Sequence, residues 1–389
     1  MKRKVSYKRM VITAVVSSVL SVVLVLSVLV LLFGRLAPSF IKISALDILV
    51  RNNFIDDTAA EKIENSLADG YVSMLGDDYA EYYPKDDANV KFDSFGGVKS
   101  GVGITIVFMP ETRRFYVKRV TDGSPADIIG LKPGDIIVSV NKTAIDADNY
   151  LDCYNALQGE IGTKIDISYE RNGVKTDATL TLSDFIIQSV YSKKISNYGY
   201  VEITTFNDKT VKQFKEQVNT LIADEIKGLI FNVADNGGGT LDSVIEILDF
   251  LLPEGVIVSA EYKNGNREVI GKSDKNQIDL PMTVIINSST ASAAELFAAS
   301  IRDYEKGAII GEKSFGKGVM QKTYRLYDRS AIRFTVARYY SKSGVSYDKE
   351  GIIPDIEVTL TRDEKASYHF KSDEENPYVI KAVEYLNGK

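Results

Sequence analysis

The hydrophobic and polar positions divide the chain into four stretches of different rhythm. From Val11 to Phe33 the residues are mainly Val, Leu and Ser, with no charge and no proline. About 20 apolar residues suffice to cross the hydrocarbon core of a bilayer, so this run predicts a transmembrane helix. From Ile41 to Leu75 the apolar positions Leu46, Leu49, Val50, Ile63, Leu67 and Met74 recur near a 3.6-residue period, which predicts helix. Asp57 to Glu61 supplies a helix start, and Gly76-Asp77-Asp78 a turn. From Gly96 to about Phe185 short strands alternate with glycine turns: 101–107, 114–120, 136–140, 164–169 and 178–182. A short helix after Ser124 and a longer one from Tyr150 lie between them. From Ser189 on, strand and helix alternate. Tyr198 to Ile203 is a strand and Lys209 to Ala223 an amphipathic helix. Gly228 to Val233 is a near-continuous apolar run of the kind a buried parallel strand shows. A helix from Leu241 to Leu251, a strand from Met282 to Ile286 and a helix from Ala293 to Arg302 follow. This alternation predicts a mostly parallel sheet with helices packed on it.

The chain is therefore expected to be a multidomain α/β protein. The segments are a basic tail over 1–10, an anchor over 11–33 and a helical region over 34–95. A small β-rich domain over 96–185, an α/β core with a mixed or parallel sheet over 186–369 and a C-terminal tail over 370–389 complete it. The tail from Glu374 on is expected to be a packed or frayed helix, with self-association as the alternative. Lys2, Arg3, Lys4, Lys8 and Arg9 precede the apolar run, while only Arg35 and Lys42 follow it closely. The positive-inside rule places the N-terminus in the cytoplasm and the rest outside. A cleaved signal peptide would have a shorter apolar region, about 7–15 residues, and a small-residue cleavage site. Leu36-Ala37-Pro38-Ser39 matches such a site poorly, so an uncleaved single-pass anchor is expected. Ser17, Ser18, Ser21 and Ser27 are candidates for helix pairing, or are incidental.

Composition narrows the chemistry. A net charge of −6 offers no basic face for nucleic acid. The single cysteine, Cys153, excludes an intrachain disulfide and a multi-cysteine metal cluster. It is a catalytic thiol or, as free cysteine usually is, a small buried hydrophobe. The single histidine, His369, lies in a polar stretch, so a multi-histidine zinc site is not available. No metal or cofactor is expected, and a hydrolytic enzyme here would have to draw its base from elsewhere.

Three motifs stand out. Thr290-Ala-Ser-Ala-Ala-Glu follows a hydrophobic strand and opens a helix. Ser292 is well placed there for nucleophilic attack, since a helix N-terminus favours a developing anion. The same residues also suit a helix cap, with Glu295 completing a capping box. Phe315-Gly-Lys-Gly places Lys317 between two glycines, as a site lysine or as a turn lysine in solvent. Asp235-Asn-Gly-Gly-Gly-Thr joins a strand to a helix, and its N–H groups could hold an oxyanion. A phosphate loop is a weak alternative, because no Lys-Ser/Thr follows the glycines.

Jointly these motifs resemble the C-terminal processing peptidases, or tail-specific proteases. That family has a Ser-Ala-Ser-like turn, Phe-Gly-Lys-Gly about 25 residues later, and Gln four residues beyond the lysine. Ser292, Lys317 and Gln321 stand at these spacings, Arg302-Asp303-Tyr304 and Gly351-Ile-Ile-Pro-Asp-Ile follow, and Leu75-Gly-Asp-Asp-Tyr matches a segment nearer the N-terminus. The resemblance covers roughly residues 45 to 360. It implies Ser292 as nucleophile, Lys317 as general base and Gln321 as its orienting partner. The backbone N–H groups of Gly238 and Ala293 become the oxyanion donors, and Asp303 takes a structural role. Ala234 stands where the family usually has arginine, which puts the local hydrogen bonding in question. Ala294 replaces a common serine. A lysine base must be neutral in a useful fraction, which asks for a closed, partly apolar cleft.

The β-rich domain resembles a PDZ domain of the bacterial protease kind, through Gly101-Val-Gly-Ile, Ser124-Pro-Ala and Gly130-Leu-Lys-Pro-Gly-Asp. The resemblance implies that Gly101, Val102, Gly103 and Ile104 receive a peptide's terminal carboxylate while the peptide adds a strand to the sheet edge. The implied function is an extracytoplasmic serine endopeptidase acting on proteins with free C-termini. The implied partners are those substrates, the membrane and either a second copy or an activator protein. A membrane-tethered PDZ adaptor whose protease fold has decayed is the alternative, with Ala234 its only support. A hydrolase of small amides or esters would not need a PDZ domain.

Overall fold

The computed structural model describes residues 7–56, 60–88, 96–361, 364, 365, 368 and 371–388. Lys2 to Lys4, the helix start at Asp57 and His369 lie outside them. The chain divides into two compact units, Met1–Tyr71 and Val72–Lys389.

The first unit is helical. Helix Tyr7–Phe33 is followed by a single 3-10 turn, Gly34–Leu36, then helices Ala37–Asn53 and Ala60–Ser73, the last running into the second unit. Met10–Val28 is long and apolar enough to cross a membrane, and none of it is buried within the protein. Both an anchor and a signal sequence meet that description. The hydroxyls of Ser21 and Ser27 donate to the carbonyls of Ser17 and Val23, one turn back. These two serines thus satisfy themselves within their own helix and need no partner helix to do so.

The second unit holds a small antiparallel domain and an α/β core. The small domain is a sheet in the order Ile104–Met109, Arg114–Val120, Ile136–Val140, Lys164–Arg171, Val174–Thr181, with Thr143–Ala144 beside the third strand. Phe115, Val117, Ile137, Ile165, Ile167 and Leu180 fill its interior, covered by the short helix Tyr150–Ala156. That helix contributes Cys153, which is buried, and burial pushes its thiol up from the ordinary value. It packs as a hydrophobe. A two-stranded ribbon, Val98–Gly101 against Ser183–Ile186, brings the two ends of the domain together. The domain is an insertion on a stalk.

The core carries the predicted parallel sheet. Tyr198–Ile203, Leu229–Asn232, Met282–Ile286, Gly307–Gly311 and Ile356–Glu357 run parallel in that order, and Val190–Ile195 adds an antiparallel edge. Side chains alternate between faces, as the strand period of two requires. Val201, Leu229, Phe231, Val284 and Ile309 face helices Thr210–Ala223, Leu241–Leu251 and Ala293–Asp303. Tyr200, Ile230, Ile285 and Ile310 face the C-terminal helix Pro377–Asn387, whose Tyr378, Val379, Ala382 and Leu386 are buried. The tail is thus a packed helix, as expected.

A second sheet was not anticipated. Strand Ala331–Tyr340 pairs with Val319–Arg325 on one side, and with Gly255–Tyr262 and Glu81–Tyr83 on the other; Arg267–Ser273 extends it. All its pairs are antiparallel. Its strands carry alternating polar residues and are built from segments far apart in sequence. Most notably, Glu81–Tyr83 precedes the inserted domain and joins a strand that follows it.

Phe297 packs edge-on against Phe231, with ring centroids 5.3 Å apart, and both rings are fully buried. Phe297→Ala is expected to lower the free energy of unfolding by about 3–5 kcal/mol, read from chemical unfolding of the core. A loss below about 1 kcal/mol would contradict this packing.

Candidate active site

The strand Met282–Ile286 ends in a turn that is tightly pinned. Thr290 Oγ1 donates to the Val233 carbonyl at 2.8 Å and accepts the Asn287 N–H at 2.9 Å. Asn287 exchanges two bonds with Asp235: Asp235 N–H to Asn287 Oδ1 at 3.0 Å, and Asn287 Nδ2 to Asp235 Oδ1 at 2.8 Å. The turn delivers Ser292 at the N-cap of helix Ala293–Asp303 with φ 58° and ψ −121°. A serine held at positive φ is strained, and such strain persists only where its surroundings over-determine it. Strand, turn, serine and helix follow in the order expected of an exposed nucleophile.

Glu295 supplies much of that determination. Its side chain is fully buried. Oε2 accepts the N–H of Ser292 at 2.9 Å and of Lys317 at 2.8 Å. Oε1 accepts the Ser314 hydroxyl at 2.5 Å and the Gly316 N–H at 2.7 Å. One carboxylate therefore completes the capping box and also holds the Phe315-Gly-Lys-Gly loop. Burial pushes its pKa up, the four donors pull it back, and the net position is above the ordinary carboxylate value.

The glycine loop lies against Ser292. A Cβ on Gly238, whose φ is +103°, would fall 2.8 Å from Ser292 Cβ and 3.0 Å from the Ala293 nitrogen. Only glycine allows this approach. Asn236 is fully buried; its Nδ2 donates to the Ile203 carbonyl at 2.8 Å and its own carbonyl accepts the Ala291 N–H at 3.0 Å. Its Oδ1 accepts the Gly238 N–H at 2.8 Å. This corrects the expectation for Gly238: its N–H is committed to Asn236 here. The N–H groups of Ala293 and Gly237 have no hydrogen-bond partner among the described residues.

Ser292, Ala293, Lys317, Gln321 and Gly238 line one cleft of about 640 Å³. Phe206, Leu241, Val319 and Met320 give it apolar walls, and Lys99 and Ile187 reach it from the stalk of the inserted domain. Gln321 Nε2 donates to Thr335 Oγ1 at 3.1 Å. Thr335 also binds Asp77, through its N–H at 2.7 Å and its hydroxyl at 3.0 Å. The Lys317 Nζ sits over the ring of Tyr79, 4.3 Å from its centroid. Tyr339 donates its hydroxyl to the Lys317 carbonyl at 2.8 Å. Asp77, Tyr79, Thr335 and Tyr339 are site residues that spacing did not reveal. The Leu75-Gly-Asp-Asp-Tyr segment is the one sequence signal for Asp77 and Tyr79. Asp303 accepts from Ser341 Oγ at 2.6 Å and Ser343 N–H at 2.9 Å, a structural role.

The position of Ala234 is satisfied without an arginine. Its N–H donates to Asn232 Oδ1 at 2.9 Å, and Tyr368 hydrogen-bonds Asp235. A cavity of about 270 Å³ opens beside it, and the cations facing it from the inserted domain are Lys118 and Arg119. Burial lowers the pKa of Lys118 against the pull of Glu202. Arg119 pairs with Glu202 at 2.5 Å and lies 4.2 Å from the ring centroid of Tyr191. These contacts tie the inserted domain to the core.

In the inserted domain Gly101, Val102 and Gly103 are buried and Ile104 begins a strand that, among the described residues, pairs only with Arg114–Val120. The Val102 N–H is committed to the Leu157 carbonyl at 3.1 Å. The space these four residues line with Tyr154 and Phe185 is about 30 Å³, room for little more than water. Phe108 stacks on Tyr150 at 4.4 Å and bridges strand and helix further along. The loop from Gly101 to Ile104 is closed.

Glu295→Gln tests the shared carboxylate. An amide offers one acceptor, so at least one backbone N–H must face its NH₂ group. The expected loss is about 2–4 kcal/mol of unfolding free energy, with turnover reduced. The pH dependence has a definite sign. A raised carboxyl pKa favours the protonated form in the fold. Its stabilisation is complete below about pH 4.3, the unfolded value, and is lost as pH rises through the folded value. The Gln variant should lack that slope when unfolding is followed between pH 4 and 8.

The chain is similar to several known proteins. Residues 197–358 match the sequence model of peptidase family S41, and residues 116–171 that of the PDZ domain. The "Carboxy-terminal processing protease CtpA" of Bacillus subtilis (strain 168) is 28% identical over 322 residues, 82% of this chain and 69% of that protein. A "Probable CtpA-like serine protease" of Staphylococcus aureus (strain COL) is 27% identical over 315 residues, 80% of this chain and 63% of its own length. The chain thus spans roughly two-thirds of these relatives. Among solved structures, the photosystem II D1 C-terminal processing protease is 26% identical with a TM-score of 0.51, covering 80% of this chain and 86% of that one. A protein from Bacteroides fragilis NCTC 9343 described as an S41 protease shares the fold at a TM-score of 0.60 and 15% identity, covering 88% and 96%. The chain carries a peptidase family S41 domain and a PDZ domain, and it is similar to C-terminal processing proteases.

Proposed function

We propose that the protein is a membrane-anchored endopeptidase that cleaves extracytoplasmic proteins with a Ser–Lys dyad. The observation that carries this reading is the single cleft lined by Ser292, Ala293, Lys317, Gln321 and the glycine loop. Neutral Lys317 takes the proton of Ser292 Oγ as the oxygen attacks the scissile carbonyl. The oxyanion is received by the Ala293 N–H and a glycine-loop N–H. Gly237 offers one as it stands; Gly238 would first have to leave Asn236. The Lys317 ammonium then protonates the departing amine, and water hydrolyses the acyl-enzyme with Lys317 again as base. Gln321 orients the lysine side of the cleft through Thr335.

The PDZ domain supplies substrate selection in this reading. The unpaired edge of Ile104–Met109 accepts the substrate's C-terminal strand, and the loop from Gly101 to Ile104 opens to take its carboxylate. The apolar helix holds the enzyme in the membrane, with the basic N-terminus in the cytoplasm. The adaptor alternative draws on the committed Gly238 N–H and the closed PDZ loop, both of which describe a site at rest.

The test uses the full chain in detergent with an unfolded protein substrate. Ser292→Ala and Lys317→Ala should each lower kcat/KM at least about 10³-fold, since removing a nucleophile or its base costs on that order or more. Free and amidated C-termini on one substrate should differ in rate. Wild type that cleaves nothing between pH 6 and 10 would favour the adaptor. Activity surviving in Lys317→Ala would reject the dyad.

A further inference from the structure

Asp77 and Tyr79 come from the segment before the PDZ domain, yet they stand at the proposed base. The segment is fixed there on three counts. Tyr79 N–H donates to Asp77 Oδ1 at 3.1 Å and Ala80 N–H to the Asp77 carbonyl at 3.0 Å, which closes a turn. Asp77 takes both donors of Thr335. Glu81–Tyr83 then pairs with Ala331, Ile332 and Arg333. The ring of Tyr79 is consequently anchored to the same strand that holds Gln321, and its face meets Lys317 Nζ at 4.3 Å.

We propose that Tyr79 is a positioning residue for proteolysis, its ring face receiving the ammonium that forms on Lys317 when the amine takes the Ser292 proton. This inference rests on Lys317 being the base. An aromatic face attracts an ammonium through its quadrupole and does little for a neutral amine. The attraction therefore grows along the proton transfer, where it lowers the barrier. The step is balanced: the proton leaves Ser292 Oγ, the serine oxygen bonds the carbonyl carbon, and the carbonyl π pair becomes the oxyanion.

The charged and titratable groups around the pair come from several elements. Asp77 and Asp78 lie on the same segment, Glu295 on the nucleophile helix, Asp348 on the loop that accepts the Gly318 N–H, and Tyr339 on the long strand. Burial, then Asp348, Asp78, Glu295 and Asp77, push the Tyr79 hydroxyl above its ordinary value. Tyr79 stays a neutral phenol, so its face and not a phenolate meets the lysine. Asp77 is opposed by burial, but the Thr335 and Tyr79 hydrogen bonds outweigh it, with Lys317 adding to them, and its carboxyl lies below the usual range. It stays charged and holds the turn.

The test measures kcat/KM from pH 6 to 10 for the full chain in detergent, on an unfolded protein substrate. Wild type, Tyr79→Phe, Tyr79→Leu, Tyr79→Met and Lys317→Ala are compared. The acid limb of kcat/KM reports the free enzyme's base. Tyr79→Phe keeps the face and should retain activity within about twofold with the limb unmoved. Tyr79→Leu and Tyr79→Met should lose several-fold at the plateau, and their limb should move about half a pH unit lower, because the ammonium has lost its partner. A merely structural ring would lower activity at every pH and leave the limb in place. A limb unmoved in both Leu and Met, or lost activity in the Phe variant, overturns the inference. Activity retained in Lys317→Ala would instead reject the base, a separate outcome.

Discussion

Four donors converge on the Glu295 carboxylate, and the rest of the site depends on that convergence. Two of them belong to the proposed nucleophile turn and the proposed base loop, Ser292 N–H and Lys317 N–H, on one oxygen. A buried charge is costly unless hydrogen bonds replace its water, and here they do so from two loops that would otherwise be independent. The strained backbone of Ser292 is held in part by this acceptor. The relative placement of Ser292 and Lys317 is thus a property of a third residue that need not touch substrate.

Around this point the chain builds its walls from both sides of an insertion. The parallel sheet supplies the glycine loop and the Ser292 turn from the carboxyl ends of adjacent strands. The antiparallel sheet supplies Val319, Gln321 and Tyr339, and borrows Asp77 and Tyr79 from before the PDZ domain. The PDZ domain is tied down by its stalk, whose Lys99 enters the cleft, and by Arg119 on Glu202. An exposed pair of this kind is worth little, but both partners here are only 17% exposed, so water screens them less. These contacts join the domain to the same sheet that carries the glycine loop.

What the sequence made legible follows from periodicity. The strands Leu229–Asn232 and Met282–Ile286 are uninterrupted apolar runs, and the helices Leu241–Leu251 and Ala293–Asp303 emerge within a residue of their expected ends. Motif spacing brought Ser292, Lys317 and Gln321 to one cleft. The antiparallel sheet escaped because strands such as Val319–Arg325 alternate exposed and half-buried residues and depend on partners that are distant in sequence. Tyr79 escaped for the same reason: nothing local distinguishes a ring that faces a lysine from one that packs in a turn. The Gly238 N–H shows another limit. Glycine in that loop reports a close approach, but where its N–H points is decided by the Asn236 side chain two residues earlier.

The bonds between Asp77 and Thr335 span 258 residues. On the ribosome, the segment that faces the lysine emerges early and must wait for a strand made near the end of synthesis. The PDZ domain between them has its own core and its own sheet, so it can fold in the interval. A chain still being synthesised therefore carries a finished PDZ domain and an unassembled cleft. Order of synthesis thus delays assembly of the cleft around Ser292 until the strand that holds Thr335 is made.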